Sequence, residues 1–136
     1  MHEYTVEFRI YGTNLDVSSV TDTLGIEPSL VRLVGDRRDK STRWEEAMWA
    51  YNGFPASDNS KSWGSLEEGL GFILERLWSA RGEINSFKSK HKVMLWCGHF
   101  QSSVNGGPTL SAEILQKLGD FGVELFIDNY CSDESV

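Results

Sequence analysis

The chain predicts an α+β fold, a two-layer sandwich in which a mainly antiparallel sheet of about four strands carries helices on one face. Three observations lead there. Tyr4, Val6, Phe8 and Ile10 alternate with Thr5, Glu7, Arg9 and Tyr11, the period of a strand with one buried and one wet face. Leu66, Leu70, Ile73, Leu74 and Leu77 recur at the helical period and form one apolar stripe. Strand-like and helix-like runs then succeed one another along 136 residues, enough chain for one core and too little for two ordinary ones.

Taken in order, the first strand ends in a turn at Gly12 to Leu15, and Asp16 caps a helix with Val17, Val20 and Leu24 on its inner face. Gly25 followed by apolar Ile26 is a Schellman stop, and Pro28 prevents resumption. Ser29 to Thr42 has no clear period and mixes Arg32, Arg37, Arg38 and Lys40 with Asp36 and Asp39, which predicts a long loop. Arg43 to Tyr51 is expected to be a second strand whose faces its pattern does not assign. Asn52 to Gly64 is a polar loop that delivers Trp63 to the central helix.

That helix is the organising element. Ser65 and Glu68 form a capping box, and the leucine stripe runs to Trp78. Gly69 and Gly71 each cost roughly 1 kcal/mol against Ala in a helix, which predicts a close neighbour on that surface. The helix should stop near Arg81 and Gly82, followed by a polar stretch. Val93 to Phe100 is the most apolar strand and is expected at the centre of the sheet. After a loop from Gln101 to Pro108, Thr109 or Ser111 caps a third helix with Leu110, Ile114, Leu115 and Leu118 inside and Gly119 closing it. Val123, Leu125 and Ile127 alternate with Glu124, Phe126 and Asp128 in a last strand. Residues 1–131 form one domain, and 132–136 a short acidic tail. Val20-x-x-x-Leu24-Gly25 and Ile114-x-x-x-Leu118-Gly119 echo one another, a weak internal strand-helix-strand repeat.

Composition narrows the function classes. Forty per cent hydrophobic residues with seven Phe and five Trp fill a core without staples, and Cys97 and Cys131 lie in no paired motif. The apolar runs are too short for a membrane span, and Met1 to Ile10 lacks the basic start and apolar block of a secretory signal, so a cytoplasmic protein is expected. A net charge of -7 argues against nucleic acid and anionic membranes and favours a basic protein partner.

Leu24-Gly25-Ile26-Glu27-Pro28-Ser29, Gly35-Asp36, Trp49 closing a strand, Leu66-Glu67-Glu68 opening the long helix, and Leu118-Gly119 together resemble the bacterial domain-of-unknown-function family 4279 over nearly the whole chain. The resemblance implies a small soluble bacterial protein and brings no catalytic residues. By analogy with other small acidic proteins, it suggests an immunity-like role.

Catalytic chemistry finds little support in the residues. Cys97 and His99 share one side of a strand but sit about 6.6 Å apart along it, too far for a thiol to imidazole bond. His2, His91 and His99 lack metal-ligand spacing, and no metal or cofactor is expected. The favoured reading is a binding domain without chemistry of its own. If the alternating residues bury Tyr4 to Ile10, the other sheet face receives Trp96, Phe126 and Tyr130, too aromatic for a merely wet surface. These are the expected anchors of a protein contact, rimmed by Glu124 and Asp128, with a homodimer as one form of it. The structural alternative is that the Asn52 to Gly64 loop covers this face. A second candidate is a small-ligand site at Arg37, Arg38, Arg43 and Trp44, weighed against local neutralisation by Asp36 and Asp39. A cysteine-histidine enzyme built on Cys97, His99 and the 101–108 loop is the alternative from another class.

Overall fold

The alternating start of the chain becomes β1 (His2–Gly12) in a computed structural model that describes residues 1–54 and 61–132. It is followed by α1 (Val17–Leu24), β2 (Leu30–Arg32), β3 (Ala47–Tyr51), α2 (Leu66–Leu77), a 3-10 turn at Trp78–Ala80, α3 (Arg81–Phe87), β4 (Lys92–Gln101), α4 (Ala112–Phe121) and β5 (Glu124–Cys131). The strands lie in the order β2-β3-β1-β4-β5, so β1 is the middle one. The β2–β3, β3–β1 and β1–β4 pairs are antiparallel; β4 and β5 are parallel, joined by a crossover through α4.

The alternation in β1 fixes which face the helices cover. Tyr4, Val6, Phe8 and Ile10 are buried, and cross-strand pairing sets His99, Cys97, Leu95 and Val93 of β4 beside them. The α2 stripe of Leu66, Leu70, Ile73, Leu74 and Leu77 packs into the same core. Ser65 Oγ accepts the Glu68 N–H at 3.3 Å, the capping bond its sequence requires. A Cβ on Gly69 would come within 2.8 Å of Trp63 and 2.9 Å of Val6, whereas one on Gly71 would meet nothing within 4 Å. The close neighbour inferred for the two glycines therefore exists at one of them. Trp63 itself exchanges two backbone bonds with Tyr4, 2.7 and 2.8 Å, extending the sheet beside the first half of β1.

Caps and buried polar groups tie the helices down. Asp16 Oδ1 accepts the N–H groups of Ser18 and Ser19, and Gly25, at φ 67°, ends α1 by donating to the Thr21 carbonyl. The fully buried indole of Trp49 donates to Thr21 Oγ1 at 3.0 Å, so α1 carries both the cap and the partner of the largest core side chain. Glu67 of α2 accepts from the Ser111 N–H and Oγ at 2.6 and 2.9 Å, fastening the start of α4 to the central helix.

Several expectations need correction. Among the described residues the sheet has five strands, close to the four or so expected, the added one being β2, three residues long and paired through Leu30–Arg32 inside the stretch expected to be a loop. β3 begins at Ala47, not Arg43. The polar stretch after Gly82 is helical, with Ile84 fully buried. α4 passes through Gly119 and stops at Gly122, φ 86°, whose N–H reaches the Leu118 carbonyl, and Leu115 faces outward. The echo between the halves thus aligns the wrong glycine: the helix-ending counterpart of Gly25 is Gly122. β4 is interior, flanked by β1 and β5, but one place from the centre. Residues 133–136 of the expected tail lie outside the described residues.

Candidate binding face of the sheet

Because side chains alternate, the residues between the core positions form a second face, and the strand registers arrange them in rows. One row runs Arg32, Met48, Tyr11, Lys92 across four strands. The next places Arg9 beside Met94 and Glu124; then come Glu7, Trp96 and Phe126; then Thr5, Gly98 and Asp128; and last Glu3, Phe100 and Tyr130. The described helices pack on the other side, against the core residues. Trp96, Phe126, Tyr130, Glu124 and Asp128 therefore share one face, as their alternation predicts. Phe100 belongs with them: it stacks on Tyr130 with ring centroids 4.9 Å apart and planes 9° from parallel.

The face keeps its aromatic residues accessible. Phe100, Phe126 and Tyr130 are 41, 47 and 43 % exposed. Gly98 lets these rings approach, since a Cβ there would lie 2.9 Å from Phe100 and 3.0 Å from Trp96. Trp96 is held from one side by Arg9, whose Cζ lies 4.0 Å from the ring centroid. Arg9 in turn donates to Glu7 Oε1 at 2.7 Å and to the Tyr11 hydroxyl at 2.8 Å. Burial opposes its charge, but Glu7 and the Tyr11 hydroxyl outweigh that and hold its pKa above the usual arginine value. The guanidinium is thus a fixed positive strut under the indole. At the far row Tyr130 Oη donates to Asp128 Oδ2 at 2.6 Å, and that bond raises the pKa of the phenol.

The loop that was to cover this face has residues 55–60 outside the described residues. Its described flanks reach the margin of this face, where Asn52, Phe54, Lys61 and Trp63 line a hollow with Glu7, Arg9, Trp96 and Phe100, while Phe54 also stacks on Phe72 of α2 and Trp63 lies against Phe72 and Gly69.

The basic segment forms a hairpin. Trp44 N–H donates to the Asp36 carbonyl, Gly35 N–H to the Trp44 carbonyl, and Arg37 pairs with Arg43. Asp39 Oδ1 accepts the N–H groups of Ser41 and Thr42, both at 2.9 Å, which hold its carboxyl below the ordinary range, and Asp36 Oδ2 accepts the Leu33 N–H at 2.7 Å. The two carboxylates are therefore occupied with backbone turns. Arg9 with Glu7 is the one ion pair within 4.0 Å among the described residues, so Asp36 and Asp39 do not neutralise the arginines by direct contact. Arg32 and Arg38 instead lie over Trp44, their Cζ atoms 4.2 and 4.7 Å from its ring centroid, and Arg43 Nη1 donates to the Gly35 carbonyl. Arg38, Arg43 and Trp44 come together as the second candidate expects, while Arg37 is exposed and lines no hollow with them; half-buried Arg32 takes its place.

Cys97 and His99 do not form a catalytic pair. Cys97 is fully buried, and burial pushes its thiol up to about 12, so no thiolate is present near neutrality. Both nitrogens of His99 are already engaged, Nδ1 with Asn129 Oδ1 and Nε2 with His2 Nδ1, each at 2.8 Å. The ring also stacks on Tyr4 at 4.7 Å. His2 Nε2 continues to the Asn105 carbonyl at 2.8 Å, so the chain start, β4, β5 and the 101–108 loop are pinned by one polar network. The Asn105 carbonyl can only accept, so with both rings neutral His2 donates from Nε2, His99 donates from Nε2 to His2 Nδ1, and His99 Nδ1 accepts from the Asn129 amide turned over to present Nδ2. A contact between residues separated by 97 positions carries no local sequence signal.

A family model described as Domain of unknown function (DUF4279) matches residues 2–132. No curated protein and no solved structure matches the chain.

Proposed function

The chain belongs to the DUF4279 family, and we propose that this member works by binding another protein on the open face of its sheet, with no chemistry of its own. The observation that carries the reading is the accessible aromatic set of Phe100, Phe126 and Tyr130 on the face that the described helices leave uncovered, with Trp96 braced among them by Arg9. Exposing such rings to water forgoes burial worth roughly 25 cal/mol per Å2, and contiguous patches of this kind are where partners dock. Their rigidity suits them as anchors, because two torsions per ring leave little entropy to lose on binding. Glu124 and Asp128 lie in the flanking rows and supply a polar rim. The family name assigns no activity, and the buried thiol and saturated histidine leave the nucleophile and base of the enzyme alternative unsupported.

The test is affinity capture from a lysate of the native cells with the wild type, with Phe126→Ala combined with Tyr130→Ala, and with Leu115→Ala on the exposed side of α4 as a control. The proposal expects one stoichiometric protein, or in sedimentation a second copy of the chain, lost with the double variant and kept with the control. Equal recovery and equal mass for a double variant that melts like the wild type would refute it.

A further inference from the structure

The arginine hollow and the aromatic face are one surface. Arg32, Arg38, Arg43 and Trp44 surround a hollow of about 480 Å3 together with Tyr11 and Glu46. Tyr11 and Glu46 also line the adjoining hollow of about 280 Å3 floored by Met94, Trp96 and Phe126. The register explains the junction, since Arg32, Met48, Tyr11 and Lys92 form a single cross-strand row. A segment lying on the face can thus reach both.

The charges of the two parts differ. Between Ser29 and Trp44 the chain has five basic residues and two acidic ones, in a protein of net charge -7. Three arginines and the two carboxylates of Glu45 and Glu46 line the hollow, and among the described residues none of the five is ion-paired within 4.0 Å. That leaves a local excess of one positive charge. Such a site accommodates a single anionic group, which guanidinium forks recognise bidentately, and it disfavours a polyanion because Glu45 and Glu46 repel the additional charges. Trp44 is already stacked with Arg32 and Arg38, so its ring is not a free platform for a base. Two rows, or about 13 Å along the strands at roughly 3.3 Å per residue, and three strands, or about 14 Å across the sheet, separate Arg32 from Trp96, roughly 20 Å in all.

We infer that the docked partner segment, lying extended, carries an acidic residue, seated in the arginine hollow, about six positions from an aromatic or large aliphatic residue that sits on Trp96 and Phe126. This rests on the reading of the open face as a protein-binding surface. It also separates two roles of charge: the net charge of -7 draws a basic protein at long range, while the hollow selects one carboxylate in the segment that docks.

A displayed library of linear eight-residue peptides tests it. The wild type should enrich peptides with Asp or Glu about six positions from a large apolar residue. Replacing that acid by its amide in a selected peptide should weaken binding at least tenfold to the wild type. The same change should cost nothing against Arg38→Gln combined with Arg43→Gln, exposed positions in a variant whose thermal melt matches the wild type, while the parent peptide should bind this variant as weakly as its amide form does. Enrichment of apolar peptides without an acid, still dependent on Phe126, would overturn this inference and leave the binding face standing. No Phe126-dependent enrichment at all would overturn both. A single-stranded oligothymidylate bound by the wild type and lost in the arginine variant would assign the hollow to nucleic acid and likewise overturn it.

Discussion

Gly69 and Gly71 sit two residues apart in α2 and should respond in opposite directions to the same substitution. Alanine in a helix interior is favoured over glycine by roughly 1 kcal/mol, so Gly71→Ala, with nothing within 4 Å of the new methyl, should stabilise by about that amount. At Gly69 the methyl would stand 2.8 Å from Cδ1 of Trp63 and 2.9 Å from Cγ2 of Val6. Val6 is buried in β1 and Trp63 is bonded through its backbone to Tyr4, so neither can swing away freely. Overpacking of this kind costs about 1 to 3 kcal/mol, which cancels or exceeds the propensity gain. Gly69→Ala should therefore range from neutral to about 2 kcal/mol destabilised. Urea melts with unchanged slope should show the Gly71→Ala midpoint raised by roughly 0.5 M and the Gly69→Ala midpoint level or lowered. Equal upward shifts would mean that Trp63 does not pack on α2, and the account of how the chain closes the β1 edge would fall with it.

Other substitutions probe the remaining joints. Thr21→Val keeps the shape of the side chain but leaves the buried Trp49 N–H without its acceptor; thermal or urea melts should lose about 1 to 3 kcal/mol, and Thr21→Ser should recover most of it. Native Cys97 should resist alkylation at pH 8, where a thiol with a pKa of about 12 is ionised in roughly one molecule in ten thousand, while exposed Cys131 is modified. The folded-state pKa is raised above the unfolded value near 9, so the thiol's contribution to stability is intact below pH 9 and declines between pH 9 and 12, by up to about 1.4 kcal/mol per unit. Melts of the wild type should fall more steeply over that window than those of Cys97→Ala.

The parts of this fold visible in the sequence are those carried by period. The leucine stripe of α2 and the alternation of β1 name their own buried faces, and the two-residue period of a strand sets Trp96 opposite Cys97 and Phe126 with Tyr130, while the register joins them on one face. What stayed hidden is short or non-local. Three residues of β2 are too few to show a period, and its pairing depends on β3. α3 has Ile84 as its one fully buried residue and follows a 3-10 turn without a capping side chain, so nothing local announces it. Leu115 and Gly119 fit a helix pattern that stops one turn early; the true stop is read from Gly122, where φ is positive. The union of the arginine hairpin with the aromatic face follows from the register Arg32, Met48, Tyr11, which no residue type encodes by itself. The interleaved Asp36 and Asp39 suggest neutralisation, and only geometry reveals that they serve backbone turns.

The central claim concerns which side of the molecule meets a partner, and hydroxyl-radical footprinting read by mass spectrometry addresses it most directly. The protein is labelled once purified and once in a lysate of its native cells, and oxidation is compared at Trp96, Phe100, Phe126 and Tyr130 on the open face and at Leu115 on the opposite layer. The account predicts that the four aromatic residues lose oxidation in the lysate while Leu115 does not. Protection at Leu115 with the aromatic face unchanged would contradict it.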